Sequence, residues 1–172
     1  MATNQSNNHT ETGKTQPSSD VKDTGMESLL VECLKEFKPR IGSSLDDTIA
    51  TVSSELIVEV GRKLKDDYRT LCDFLRCLSV VDYEDHFQVV YHLYSTQKNH
   101  QLVIKSDIPY EDPHIPSVMG VWVGADWYER EGHDLFGIIF DGHPDLTPLI
   151  LYEGFEGYPG RKSYPLNDYK EW

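Results

Sequence analysis

The run from His86 to Tyr94 constrains the fold most, because Phe87, Val89, Tyr91 and Leu93 alternate along it. Successive strand side chains point to opposite faces, so this run has one apolar face to bury. Val80–Tyr83 leads into it through Glu84 and Asp85. The polar stretch Ser95–His100 then turns into Gln101–Lys105. Three strands joined by short polar turns predict an antiparallel meander, and its apolar face needs a second layer.

Helices can supply that layer. Met26, Leu29, Leu30, Cys33, Leu34 and Phe37 recur at helical spacing before Pro39 and Gly42. Leu64, Tyr68, Leu71, Cys72, Leu75 and Leu78 predict a second amphipathic helix. Asp66 and Asp67 fall in its first turn, where the helix dipole favours acids. Between the helices, Thr48–Val52 and Leu56–Val60 look like strands, the second broken by Gly61. The expected order is α-β-β-α-β-β-β: a two-layer α+β domain over 26–137, with helices on one face of a mostly antiparallel sheet.

After Pro109 the character changes. Pro113 and Pro116 bracket a loop, and Ser117 can cap a short apolar helix through Val123. Asp126 reads as a further N-cap with Glu129 as its capping-box partner, opening a helix to Phe136 that stops at Gly137. From Gly142 onward, Pro144, Pro148, Pro159 and Pro165 alternate with Gly154, Gly157 and Gly160, which leaves a long irregular extension over 138–172.

That extension is rich in rings. Residues 127–172 hold ten of the nineteen aromatics, including Tyr152, Phe155, Tyr158, Tyr164, Tyr169 and Trp172. Left exposed, they would form an unusually large apolar surface. Either the segment lies across another subunit, where aromatics concentrate at interface centres, or it wraps back over its own sheet.

Composition narrows the function classes. A net charge of -13 argues against nucleic acid, whose phosphates need clustered Lys and Arg. No apolar run approaches the roughly 20 residues of a membrane-spanning helix. Cys33, Cys72 and Cys77 form no CxxC pair, whereas an iron–sulfur cluster usually needs about four thiolates. They read as buried reduced thiols. Residues 1–25 are Thr-, Ser-, Asn- and Gln-rich and are expected to be disordered. They show no apolar core of a secretory signal and no Arg of a transit peptide.

Several charged residues invite sharper readings. Glu129 and His133 stand at i and i+4 and could place two metal ligands on one helical face, with His143 as a third. No HExxH pairing supports this, but a small stand-alone metal-dependent enzyme is one alternative. Arg130 could pair with Asp134 in its own helix, or clamp a carboxylate of a neighbouring subunit. Arg161 and Lys162 form an isolated basic pair that could anchor an interface. His143 before Pro144 reads as a turn residue. No Gly-rich phosphate loop follows a strand.

The segment Glu129-Arg130-Glu131, then Asp134-Leu135-Phe136-Gly137-Ile138, resembles the signature of the complex I 30 kDa subunit family. The spacing continues through Gly142-His143-Pro144-Asp145-Leu146 and through Phe155-Glu156-Gly157-Tyr158-Pro159-Gly160-Arg161-Lys162-Ser163-Tyr164-Pro165. Pro116-Ser117-Val118 and Ala125-Asp126-Trp127 also match. The similarity is specific over 113–165 and topological over 26–110. Thr147, Tyr152, Gly154, Phe155, Tyr158 and Ser163 depart from the usual Lys or Arg, Pro, Asp, Trp, His and Asp.

The resemblance implies a non-redox structural subunit in the peripheral arm of an NADH- or ferredoxin:quinone oxidoreductase. It would pack against the 49 kDa (D) subunit and near the B- and I-type iron–sulfur subunits, supporting quinone reduction coupled to proton translocation. NADH or ferredoxin, iron–sulfur clusters and quinone would belong to the complex, and no catalytic, cofactor or metal residue to this chain. Membrane contact would come only through the complex, on the cytoplasmic side of a bacterial inner or photosynthetic membrane. A homologous subunit of a membrane-bound hydrogenase is the alternative. The implied subunit-contact residues are Glu129, Arg130, Glu131, Asp134, Phe136, Gly137, His143, Pro144, Phe155, Glu156, Gly157, Pro159, Arg161, Lys162, Tyr164 and Pro165.

Overall fold

The computed structural model describes residues 24–44 and 47–165. The expectation of disorder over 1–25 therefore falls almost wholly outside the described residues, as do Tyr169 and Trp172. The elements are α1 (Thr24–Cys33), β1 (Arg40–Ser44), β2 (Asp47–Thr51), α2 (Ile57–Asp66), β3 (Phe74–Asp82), β4 (His86–Ser95), β5 (His100–Pro109), β6 (His114–Pro116), α3 (Ala125–Phe136) and β7 (Ile139–Asp141). Five strands form one sheet in the order β1-β2-β5-β4-β3. Only the β2–β5 pairing in it is parallel. The α+β class, the mostly antiparallel sheet and the opening order α-β-β-α-β-β-β all stand.

The meander is built as its alternation dictates. Phe87, Val89, Tyr91 and Leu93 are buried, while His86, Gln88, His92 and Tyr94 on the other face are half-buried. Leaving water contributes roughly 1.5–3 kcal/mol for each of Phe87, Val89 and Leu93. Leu30, Cys33 and Leu34 from α1, with Ile57, Val60 and Leu64 from α2, close over the same row in one continuous core.

Two elements differ from expectation. The stretch Leu56–Val60 is not a strand, and the helix expected over Leu64–Leu78 does not form. Instead α2 occupies Ile57–Asp66, and β3 begins at Phe74. Ile57, Val60, Gly61 and Leu64 are its buried residues, spaced as one helical face. Gly61 is no breaker: an added Cβ would lie 3.0 Å from two Trp122 ring carbons, so it lets the indole pack on the helix.

The false helix through Leu75 and Leu78 has a physical cause. The β3–β4 register shifts between Leu75 and Cys77. A bulge inserts one extra residue, which restores an inward direction three positions on. Leu75 and Leu78 therefore both face the core with a spacing that imitates a helix. The order holds because an unexpected strand, β1, replaces the false one. Pro39 and Gly42 signal only the end of α1, yet Gly42 lies within β1.

The region after Pro109 also differs. Residues 117–124 form turns rather than a helix. β6 and β7, expected as loop, pair in parallel. Ile138 and Phe140 are buried in the main core, so the domain runs past Gly137 and the irregular extension starts after Asp141. Cys72 and Cys77 lie in a loop and on β3, not on a helix. No described helix is long and apolar enough to cross a membrane.

Candidate functional site

Everything the signature singles out converges on α3 and the segment that returns to it. Ala125, Glu129, Gly132 and Asp134 are buried on α3. Gly132 allows contact: an added Cβ would sit 3.2 Å from both the Phe140 ring and a Val80 methyl. Gly137 ends the helix at φ 71, and its N–H bonds the His133 carbonyl. The left-handed cap and the stop at Phe136 are as the sequence predicts.

The capping box does not form. Gly124 holds the N-cap position, and Asp126 lies within the first turn. Glu129 instead turns inward. Its carboxylate accepts the Ser117 hydroxyl at 2.6 Å and the Val118 N–H at 2.7 Å. Burial pushes its carboxyl up to about 7, against the pull of those two bonds, and Asp126 adds to the rise. Burial, and then the Glu129 charge, also raise the Tyr91 hydroxyl well above its ordinary value.

Asp134 is buried for the opposite purpose. One carboxylate oxygen accepts the N–H groups of Leu149 at 3.2 Å, Ile150 at 2.8 Å and Leu151 at 2.8 Å. Burial alone would raise its carboxyl; the three N–H dipoles outweigh it and hold it below the usual range.

Arg130 does not pair with Asp134. It donates to the Thr147 carbonyl, the Thr147 hydroxyl and the Pro148 carbonyl, each at 3.2 Å. Arg161 also acts within the chain. Its Nε donates to the Phe136 carbonyl at 2.7 Å, at the negative end of α3. Its guanidinium carbon lies 4.6 Å from the Tyr158 ring centre, 5.1 Å from Phe87 and 5.3 Å from Tyr110. Lys162 donates its backbone N–H to Asp82 at 2.9 Å, and its ammonium lies 3.6 Å from Glu84. Nothing about Asp82, Phe87 or Tyr110 marks them in the sequence as holders of this segment.

The remaining signature residues shape the strap. Gly157, at φ 88, lies under the Tyr164 ring. Phe155 packs edge-on to Tyr152 and stacks with Tyr164. Phe136 meets Phe87 edge-on at 6.3 Å. Pro159 is half-buried; Pro144, Glu156 and Pro165 are exposed, and Glu131 lines a groove with Tyr128 and Leu135 beside β3. The described part of the extension thus wraps back on its own domain. It still presents Ile150, Tyr152 and Tyr158 outward, 56%, 72% and 40% exposed, and Trp127 on α3 is 65% exposed.

Glu129 and His133 do not converge. The His133 ring bonds the Ile138 carbonyl at 2.8 Å, away from the Glu129 carboxylate and its Ser117 and Val118 partners. Among the described residues, no group of three His, Cys, Asp or Glu could hold a metal ion. His143 does approach Glu129, its Nε2 lying 3.9 Å from that carboxylate and 3.2 Å from the Asp126 carboxylate.

Fold and site define a two-layer α+β domain with a C-terminal segment strapped along one helix. Residues 50–170 match the family described as the 30 kDa subunit of respiratory-chain NADH dehydrogenase, and the chain belongs to that family. Its relatives include the C 2 subunit of NADH-quinone oxidoreductase from Rhizobium meliloti (strain 1021), 46% identical over 123 residues, covering 70% of this chain and 67% of that protein. The corresponding C subunit from Salinispora arenicola (strain CNS-205) is 36% identical over 148 residues, 80% of this chain and 60% of that one. The chain thus spans about two thirds of the length of the relatives it matches. Among solved structures, the trypsin-resistant fragment (1-134) of Nqo5 superposes with a TM-score of 0.58 at 28% identity, covering 70% of this chain and 98% of the fragment. A chain of an archaeal respiratory membrane complex, the membrane-bound sulfane sulfur reductase, shares the fold with a TM-score of 0.72 at 23% identity, over 83% of this chain and 86% of that one.

Proposed function

We propose that this chain is a non-redox structural subunit of a complex I-type quinone oxidoreductase, and that it docks on the 49 kDa subunit through the strap over 142–165. The observation that carries this reading is a contrast within the strap. Backbone groups at 147–151 and at Lys162 are turned inward onto Arg130, Asp134 and Asp82, while Ile150, Tyr152 and Tyr158 keep exposed side chains. A segment ordered by its own domain loses little further entropy on binding, and outward aromatics are suited to an interface centre. Electron carriers, quinone and the coupled proton movement belong in this reading to the partner subunits. Membrane attachment and the cytoplasmic side follow from the complex.

Co-expression with the 49 kDa subunit tests it. The wild-type chain should co-purify with that subunit. The double variant Ile150→Asp and Tyr152→Asp should stay folded by circular dichroism and lose the partner. Retention of the partner by the folded double variant would sink the docking surface.

A further inference from the structure

We infer that the free edge of β3 accepts an added strand: an extended segment of a partner protein that carries a Lys or Arg two positions from an apolar residue. This surface is separate from the strap and does not rest on the docking role given to it.

β3 is the last strand of its sheet and pairs on one side only, with β4. The Tyr83 N–H bonds the His86 carbonyl at 3.0 Å and closes the turn between them. Bonded and non-bonded pairs alternate from there. Val81 with Gln88, and Ser79 with Val90, therefore exchange bonds across the pair. Leu78 and Val80, between them, turn their N–H and C=O groups outward.

Edges of this kind are ordinarily blunted by charge, proline, a bulge or a covering element. The first half of β3 is blunted in two of these ways. The bulge falls between Leu75 and Cys77, and the Tyr128 hydroxyl of α3 bonds the Arg76 carbonyl at 2.8 Å. The stretch Leu78-Ser79-Val80-Val81 carries no charge and no proline. A groove runs beside it, with β3 as one wall and Tyr128, Glu131 and Leu135 of α3 as the other. These three lie on a different face of α3 from Arg130 and Asp134, which hold the strap.

The groove specifies its occupant. Glu131 is half-buried, and among the described residues its side chain has no ion pair and no hydrogen bond. A carboxylate so placed favours a cation that can bond it directly. Leu135 stands one helical turn further on. Four helix positions rise about 6 Å, and two strand positions advance about 6.6–6.8 Å. A Lys or Arg facing Glu131 therefore brings the next side chain on its own face over Leu135. Main-chain bonds to Leu78 and Val80 supply affinity in this arrangement, and the two side chains supply selectivity.

A second copy of the chain does not meet these requirements. Two β3 edges paired with each other would set each Glu131 against residues 78–81 of the other copy, which include no Lys or Arg. The Arg76 guanidinium is already bonded to Gln101 at 2.6 Å. Each copy would also bring a net charge of -13.

The test uses the full chain, labelled with nitrogen-15, and the blocked pentapeptide Thr-Lys-Thr-Val-Thr at up to about 1 mM. The Leu78 and Val80 amides should shift as the peptide is added. The same peptide with Glu in place of Lys should bind about tenfold more weakly. Glu131→Lys should reverse that order. No shift at Leu78 and Val80, or equal binding of the two peptides to the wild type, overturns the proposal. Should Glu131→Lys not fold, the comparison of the two peptides on the wild-type chain decides alone. A wild-type dimer in sedimentation that the lysine peptide fails to disperse would assign the edge to a second copy, and would overturn the proposal as well.

Discussion

Asp134 on α3 accepts the backbone N–H of Ile150 at 2.8 Å across sixteen positions of sequence. The same oxygen takes the two flanking amides, so one buried charge organises the stretch of the strap that presents Ile150. Successive N–H groups converging on one anion form a small binding nest, here filled by the chain's own carboxylate.

Asp134→Ala should leave those amides without their acceptor and cost about 1–3 kcal/mol. The measurable result is faster proteolytic cleavage between 147 and 152 with a smaller loss of global stability. The pH dependence follows from the lowered carboxyl of Asp134. Its contribution is present above the ordinary value of 3.8 and is lost as pH falls through the lower folded value. Acid unfolding of Asp134→Asn should accordingly be shallower below about pH 4 than that of the wild type.

Gly137→Ala should be strongly destabilising for two separable reasons. Its φ of 71 places a side chain in the left-handed region, at a cost of about 1–2 kcal/mol. An added Cβ would also meet the Tyr158 ring at 2.5 Å. In a Tyr158→Ala background only the first cost should remain. A double-mutant cycle by urea unfolding should therefore give a coupling well above about 0.5 kcal/mol, and additive effects would refute the contact.

Arg161→Lys should fail to replace Arg161. A lysine carries the charge but lacks the planar face that lies among Tyr158, Phe87 and Tyr110. The Nε bond to the Phe136 carbonyl would go as well. We expect Arg161→Lys to lower stability by about 1–2 kcal/mol, close to the effect of Arg161→Ala, measured by thermal unfolding. A lysine variant as stable as wild type would reduce the role of Arg161 to its charge.

Much of the fold is legible because it depends on period. Phe87, Val89, Tyr91 and Leu93 declare a strand and its buried face, and the α3 boundary is written in Gly137. The errors arise where a local irregularity changes the period. The bulge beside Leu75 makes a strand imitate a helix, and Gly61 looks like a breaker because its packing partner, Trp122, is sixty-one positions on.

The site divides in the same way. The sequence by itself marked the residues that resemble the family signature: Glu129–Gly137, the His143-Pro144 turn and the Phe155–Pro165 block. That resemblance also pointed to the family that the match over residues 50–170 shows. Only the tertiary structure decided what these residues touch. Glu129 turns from a cap into a buried acid held by Ser117, and Arg130 and Arg161 become internal fasteners of the strap. The reason is physical. Residue type fixes what a side chain can bond, but burial and direction fix what it does bond, and both come from segments such as Asp82, Phe87 and Tyr110 that lie far away in sequence and carry no mark of the role.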